Sequence, residues 1–108
     1  MVSRNNQAIL MENYNTAPNN SLRFKSATGN QITPAALQSN DVIGRIQFEG
    51  HDGFAFRVAA EITGQSGGTI GANDMPGLLI FKTSLDGTSS NQERMRINNE
   101  GFVGINNP

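Results

Sequence analysis

One histidine, several carboxylates and two closely spaced arginines are the side chains of this chain that acid–base or metal chemistry would need. The histidine stands beside a carboxylate, in His51-Asp52. A catalytic pair or a metal-ligand pair is one interpretation, but a metal site needs further ligands at suitable spacing, and the sequence has no second His and no Cys. Asp followed by Gly53 is what a tight turn requires. The pattern favours an exposed turn.

A glycosidase pair is a second possibility, because that chemistry uses two carboxylates that converge in a cleft. A chain of 108 residues without Trp has little with which to build a sugar-cleaving groove. The candidates would come from Glu49, Asp52, Glu61, Asp74 and Glu93.

The remaining polar motifs are weaker. Asn73-Asp74 with Asp86 offers oxygen ligands but lacks the alternating spacing of a calcium loop. Residues 67–69 are Gly-rich without the Lys of a phosphate-binding loop. Arg94 and Arg96 alternate on one segment, as on a solvated strand face. We predict no catalytic residue, no metal, no cofactor and no enzymatic activity.

The composition is polar with little net charge. Eight Lys and Arg against nine Asp and Glu give a net charge of −1, so no positive field attracts nucleic acid or an anionic membrane. Fourteen Asn, six Gln and twelve Gly suit turns and short strands and disfavour long helices. Residues 9–11 are too short an apolar run for a signal peptide or a membrane span. We expect neither nucleic acid nor membrane insertion.

The apolar content predicts a thin core. Val, Ile, Leu and Phe make up 25 of the 108 residues, slightly above the roughly 20% below which disorder is expected. Without Cys, no disulfide adds stability. Because a lone domain of this kind struggles to offset its chain entropy, we expect self-association.

Residues 43–62 alternate in polarity around a turn and predict a β-hairpin. A three-residue loop at residues 51–53, with Gly53 at positive φ, brings every apolar pair to one face. It pairs Gly50 with Phe54, Phe48 with Phe56, Ile46 with Val58 and Gly44 with Ala60. The other face, which is mostly solvated, pairs Glu49 with Ala55, Gln47 with Arg57, Arg45 with Ala59 and Ile43 with Glu61.

The C-terminal residues predict a second hairpin by the same rule. A loop at residues 99–101, with Gly101 at positive φ, places Arg96 across from Gly104. It pairs Asn98 with Phe102, Ile97 with Val103 and Met95 with Ile105. A two-stranded ribbon with one apolar face is not stable alone in water, so we expect other chains or a following segment to cover it.

The remaining segments are assigned more simply. Residues 1–21 form a polar leader, either a flexible terminus or an interaction arm. Residues 22–27 alternate and predict a strand, whereas residues 33–38 have a cap residue and an early Pro and predict one or two helical turns.

In the second half of the chain, residues 63–77 predict a long Gly-rich loop, and residues 78–83 a strand buried on both faces. Residues 85–87 look like another turn, and residues 88–92 are too polar to pair.

Taken in order, these pieces resemble a β-rich segment of phage tail fibres and other virion appendages, one that often precedes a C-terminal intramolecular chaperone of the endosialidase type. The resemblance covers about residues 33–108. It rests on residues 41–50 (DVIGRIQFEG), Asp52-Gly53, residues 59–62 (AAEI), 71–77 (GANDMPG), 79–83 (LIFKT), Asp86-Gly87, 93–97 (ERMRI) and 101–105 (GFVGI).

The resemblance implies a homotrimer that builds the shaft or stem of a virion appendage. Because the N-terminal residues predict no signal peptide, we expect the virion to reach the outside of the host by lysis. The family usually continues Gly-Ile-Gly where this chain has Gly104-Ile105-Asn106. The chaperone with its self-cleaving serine lies outside the sequence, so the resemblance assigns no catalytic residue.

We therefore predict an all-β fold of short antiparallel hairpins with Gly-rich loops and at most one short helix, assembled as an intertwined or side-by-side homotrimer. Residues 1–21 would be a linking arm and residues 22–108 a single fibre domain. Its partners would be other copies of itself and other tail or fibre proteins.

A receptor-binding tip that recognises host surface glycan through residues 64–77 and 85–92 is the alternative function, and a depolymerase ranks far behind both. The predicted core and trimer contacts are Ile46, Phe48, Phe56, Val58, Leu79, Phe81, Met95, Ile97, Val103 and Ile105.

Overall fold

The computed structural model describes residues 6–105, which form seven antiparallel strands and no helix. The all-β prediction is confirmed. The strands are β1 (Thr28–Gly29), β2 (Pro34–Ala35), β3 (Val42–His51), β4 (Phe56–Ser66), β5 (Gly77–Ser84), β6 (Asn91–Ile97) and β7 (Val103–Ile105). Strands β1 and β2 form a small ribbon, and the others form one sheet in the order β3-β4-β5-β6-β7. Within the described range, no helix long and apolar enough to cross a membrane is present.

The sheet is a meander, because each strand pairs with the next one along the chain. Its connections therefore fall alternately at two ends. Residues 52–55 and 85–90 lie at one end, which we call the turn end, and residues 67–76 and 98–102 lie at the other. The two loops through which the alternative, a receptor-binding tip, would recognise glycan are thus at opposite ends of the sheet.

The first hairpin has a longer turn than predicted. The Asp52 carboxylate accepts hydrogen bonds from the backbone N–H groups of Phe54 and Ala55, both at 2.8 Å. A four-residue turn at residues 52–55 satisfies these donors, and Gly53 has the predicted positive φ, 94°. A bulge then follows between Phe48 and Glu49.

This turn shifts most strand partners by four residues, so the predicted pairs are wrong. Phe48 pairs with Ala60 instead of Phe56, and Ile46 pairs with Ile62 instead of Val58. Because the shift is even, the residues of β3 that were expected to share a face still do.

The predicted register of the terminal hairpin is confirmed. Met95 pairs with Ile105, and Ile97 pairs with Val103. The loop closes through an N–H of Asn98 that donates to the Phe102 carbonyl at 3.0 Å, and Gly101 has a φ of 88°.

The predictions for residues 22–38 are wrong. Residues 22–27 belong to no strand. Instead of a helix, Pro34–Ala35 forms β2 and pairs back onto β1. The Asn30 side-chain oxygen accepts the N–H groups of Ile32 and Thr33, at 2.9 and 2.8 Å. Such local bonds to a side chain compete with a helix for the same donors.

The second half of the sheet is more regular than predicted. Strand β4 runs on to Ser66, so the Gly-rich loop is shortened to residues 67–76. Asn91 and Gln92, expected to stay unpaired, pair with Ser84 and Thr83 in β6. Strand β5 lies at the centre of the sheet, but the prediction that both of its faces are buried is wrong, because Ile80 is buried while Leu79 is 38% exposed.

Residues 6–21 lie outside the sheet and are exposed. The division of the chain at residue 21 stays a prediction, and its residues 1–5 and 106–108 lie outside the described range.

Candidate assembly interface

One face of the five-stranded sheet is apolar from edge to edge. Strand register aligns its side chains in rows, because partners across a ladder point to the same side. Row one is Gly44, Gly64, Leu79, Ile97 and Val103. Row two is Ile46, Ile62, Phe81, Met95 and Ile105, and row three begins with Phe48 and Ala60. We call these residues the apolar face.

The apolar face is largely open to solvent. Phe48 is 54% exposed, and Val103 and Ile105 at the far edge are 59% and 79% exposed. Contiguous apolar surface of this extent is unusual on a monomer and marks an interaction site.

The structure brings eight of the ten predicted contact residues together on this face. The other two, Phe56 and Val58, lie beyond the bulge, where they pair with His51 and Glu49. The Phe56 and His51 rings meet edge to face, with centroids 4.9 Å apart. Sequence reasoning missed Ile62, which only the corrected register places opposite Ile46.

A groove crosses the apolar face where row one begins with two glycines. A Cβ added at Gly44 would lie 2.5 Å from the Cβ of Phe24, so Phe24 rests directly on the backbone of β3. A Cβ added at Gly64 would meet no atom closer than 4.0 Å, so this position is open. The groove has a volume of about 570 Å³, and its walls include Phe24, Ile46, Ile62, Leu79 and Ile97.

The opposite face of the sheet, which we call the polar face, is mostly polar but includes the buried Ile80. Glu61 is only 4% exposed, yet its carboxylate accepts hydrogen bonds from Thr63, from Gln47 at 2.8 Å and from Asn91 at 3.3 Å. The Lys82 ammonium lies 3.6 Å away. The hydrogen bonds from Gln47 and Thr63 lower the pKa of Glu61 to about 2, against an ordinary 4.5. Burial alone would raise it, so the bonded partners dominate.

Arginines extend this polar surface. The Arg96 guanidinium makes two hydrogen bonds to the Glu93 carboxylate, at 2.7 and 2.9 Å. They lower the pKa of Glu93 and raise that of Arg96. Arg94 was expected on the same face as Arg96. A bulge at Arg94 interrupts the alternation, and its side chain instead donates to the hydroxyl of Thr83 at 2.9 Å.

The turn end carries exposed aromatic and charged side chains. Phe54 and Phe56 are 86% and 68% exposed. A depression of about 300 Å³ lies at the same end of the sheet and is lined by residues of both turns. On its rim, Arg57 lies 3.3 Å from Asp52. Backbone N–H groups of Ala55 and Phe54 lower the pKa of Asp52. Residues 6–105 bring together no cluster of three His, Asp or Glu side chains suited to a metal ion.

No protein-family model and no curated protein matches the chain. Among solved structures, the chain is similar to the carboxy-terminal domain of the bacteriophage T5 L-shaped tail fibre, with a TM-score of 0.71 and 19% sequence identity over 96% of this chain. The chain spans 40% of the length of that protein chain. The two proteins share a fold, and it is the fold of a tail-fibre domain.

Proposed function

We propose that the chain is a structural, non-enzymatic segment of a phage-like tail fibre or virion appendage, in which three copies bury their apolar faces against one another. The similarity of the fold to that of a tail-fibre domain supports the assignment to a tail fibre or appendage. The trimer follows from the sequence resemblance, and the open apolar face is the surface that such an assembly needs.

The open apolar face is the observation that carries this proposal. It crosses all five strands of the sheet and leaves Phe48, Val103 and Ile105 54%, 59% and 79% exposed in the single chain. A contiguous exposed apolar surface of this kind is typical of an interaction site. The chain as a whole exposes 8914 Å², whereas a compact monomer of 11.6 kDa exposes about 5,800 Å², and both the extended residues 6–21 and the open apolar face contribute to this excess.

Light scattering coupled to size-exclusion chromatography tests the assembly. At micromolar concentration we expect the mass of three 11.6 kDa chains, and a monomer mass would refute the proposal. Incubation with host polysaccharide should release no new reducing ends. Release of reducing ends would show a depolymerase instead.

A receptor-binding tip is the second candidate, and the turn end favours it. Exposed phenyl rings beside charged groups offer apolar stacking together with hydrogen bonds, as a sugar requires. We expect any glycan retained on an array by the purified protein to be lost in Phe54→Ala. The matched control is Phe102→Ala, an exposed phenylalanine at the opposite end of the sheet. If the array retains no glycan, this candidate is excluded for the glycans displayed.

A further inference from the structure

The two edges of the apolar face differ in shape. Along row one, the β3–β4 side has the glycines Gly44 and Gly64, and the β7 edge has the branched side chain of Val103. The first side is therefore recessed, and the second protrudes.

The recess is only half filled by the chain itself. Phe24 occupies the space over Gly44, and the Ser26 hydroxyl fixes that segment by donating to the Ile43 carbonyl at 2.6 Å. The space over Gly64 stays open between Phe24 and Leu79. A branched aliphatic side chain that entered there would be surrounded by apolar atoms.

We propose that Val103 on the β7 edge of one copy enters the Gly64 groove of the next copy. This inference rests on the proposed self-assembly. It adds that each contact is head-to-tail, because it joins two different surfaces of the chain. Such a head-to-tail contact closes into a ring when the rotation between copies is right, whereas a twofold contact would place each patch against itself. In a ring of three, each copy gives one β7 edge and receives another.

The extent of the apolar face argues for a second copy as the occupant. The face crosses five strands, which is wider than one peptide segment in the groove would cover, and the β7 edge continues it, with Val103 and Ile105 59% and 79% exposed. The competing occupant is the N-terminal arm, in which Leu10 is 76% exposed.

Disulfide trapping separates these occupants, because the natural chain has no cysteine. The variant Gly64→Cys/Val103→Cys should form a covalent trimer under mild oxidation, resolved on a non-reducing gel. A bond within one chain is excluded, since three strand spacings separate the two positions by about 14 Å, beyond the roughly 7 Å reach of a disulfide. The matched control is Gly64→Cys/Gly104→Cys, because Gly104 lies one residue along β7 and faces the opposite side.

Each other outcome has a definite meaning. Trimers that form without the Gly64–Val103 cross-link overturn this contact and leave the assembly standing. Dimers linked by Val103→Cys alone show a twofold contact and overturn the ring. A cross-link of Gly64→Cys to Leu10→Cys assigns the groove to the arm. If the unsubstituted chain is a monomer by light scattering, the proposed assembly and the inference both fail.

A groove-filling variant gives a second readout that needs no oxidation. Gly64→Ile fills the recess from within its own chain, so it should raise the chain concentration at half-assembly by about tenfold or more. Gly104→Ile adds the same side chain to the other face and should leave that concentration unchanged. Equal effects of the two substitutions would overturn the inference.

Discussion

Protonation of Glu61 should remove a large part of the stability of the sheet at low pH. The side chain is 4% exposed and lies between Gln47 and Thr63 on the polar face. Folding lowers its pKa from 4.5 to about 2, so the folded state favours the charged carboxylate. The contribution to the free energy of unfolding is therefore complete above pH 4.5 and disappears as the pH falls through about 2.

The size of this contribution follows from the pKa difference. A difference of about 2.5 units corresponds to about 3 kcal/mol. We expect Glu61→Gln to lower the free energy of unfolding at pH 7 by about 2–3 kcal/mol. A neutral amide cannot form an ion pair with Lys82, and its N–H₂ group would face side chains that themselves donate hydrogen bonds. At pH 2 the difference between the variant and the natural chain should be much smaller.

Urea unfolding followed by circular dichroism measures both values, at one chain concentration throughout so that assembly does not shift the midpoint. The lowered pKa values of Asp52 and Glu93 also contribute to the pH dependence of stability, but their contributions cancel when variant and natural chain are compared at each pH. Glu100→Gln, in the exposed terminal loop, is the control and should change stability by less than about 0.5 kcal/mol at either pH. An equal effect of Glu61→Gln at pH 7 and pH 2 would refute the reasoning.

Four further substitutions test the packing. Gly44→Ala should displace Phe24, whose Cβ lies 2.5 Å from the added atom, and lower the melting temperature; an unchanged value means that Phe24 does not rest there. Gly101→Val should cost more than about 1 kcal/mol, because a β-branched residue is strained at a φ of 88°, and an unchanged melting temperature would contradict this. Met95→Asp should abolish the proposed trimer by placing a charge on the apolar face. Arg96→Gln should lower the free energy of unfolding by less than about 1 kcal/mol, because the ion pair between Arg96 and Glu93 is partly exposed. A trimer of undiminished stability in Met95→Asp would mean that the apolar face is not the interface.

Sequence reasoning succeeded where local chemistry determines the structure. The terminal hairpin has a short loop, a glycine where φ is positive, and Asn98, whose side-chain oxygen accepts the N–H groups of Glu100 and Phe102 at 3.0 and 2.9 Å. The first hairpin is ambiguous by the same criteria. A three-residue loop and a four-residue turn with a bulge put the same β3 residues on the apolar face, so hydrophobic alternation could not choose between them.

Sequence reasoning failed where contacts are distant along the chain. The position of Phe24 depends on the missing side chain of Gly44, and no pattern in residues 22–27 signals it. The Glu61 cluster was missed because the predicted register placed Glu61 opposite Ile43. The shift of four residues brings Gln47 opposite Glu61 and creates a buried polar site from residues that were expected to be solvated.

The two faces of the sheet should respond differently to chain concentration. Every buried side-chain nitrogen or oxygen of the described residues has a hydrogen-bond partner within the chain, so the polar face needs no second copy. The apolar face is largely exposed in the single chain, and in the proposed trimer its burial depends on association. Substitution of Glu61 should therefore lower stability by a similar amount at all chain concentrations, whereas the loss caused by Met95→Asp should grow as the chain concentration rises and the proposed trimer gains stability. A loss for Met95→Asp that does not vary with concentration would place the cover of the apolar face within the single chain.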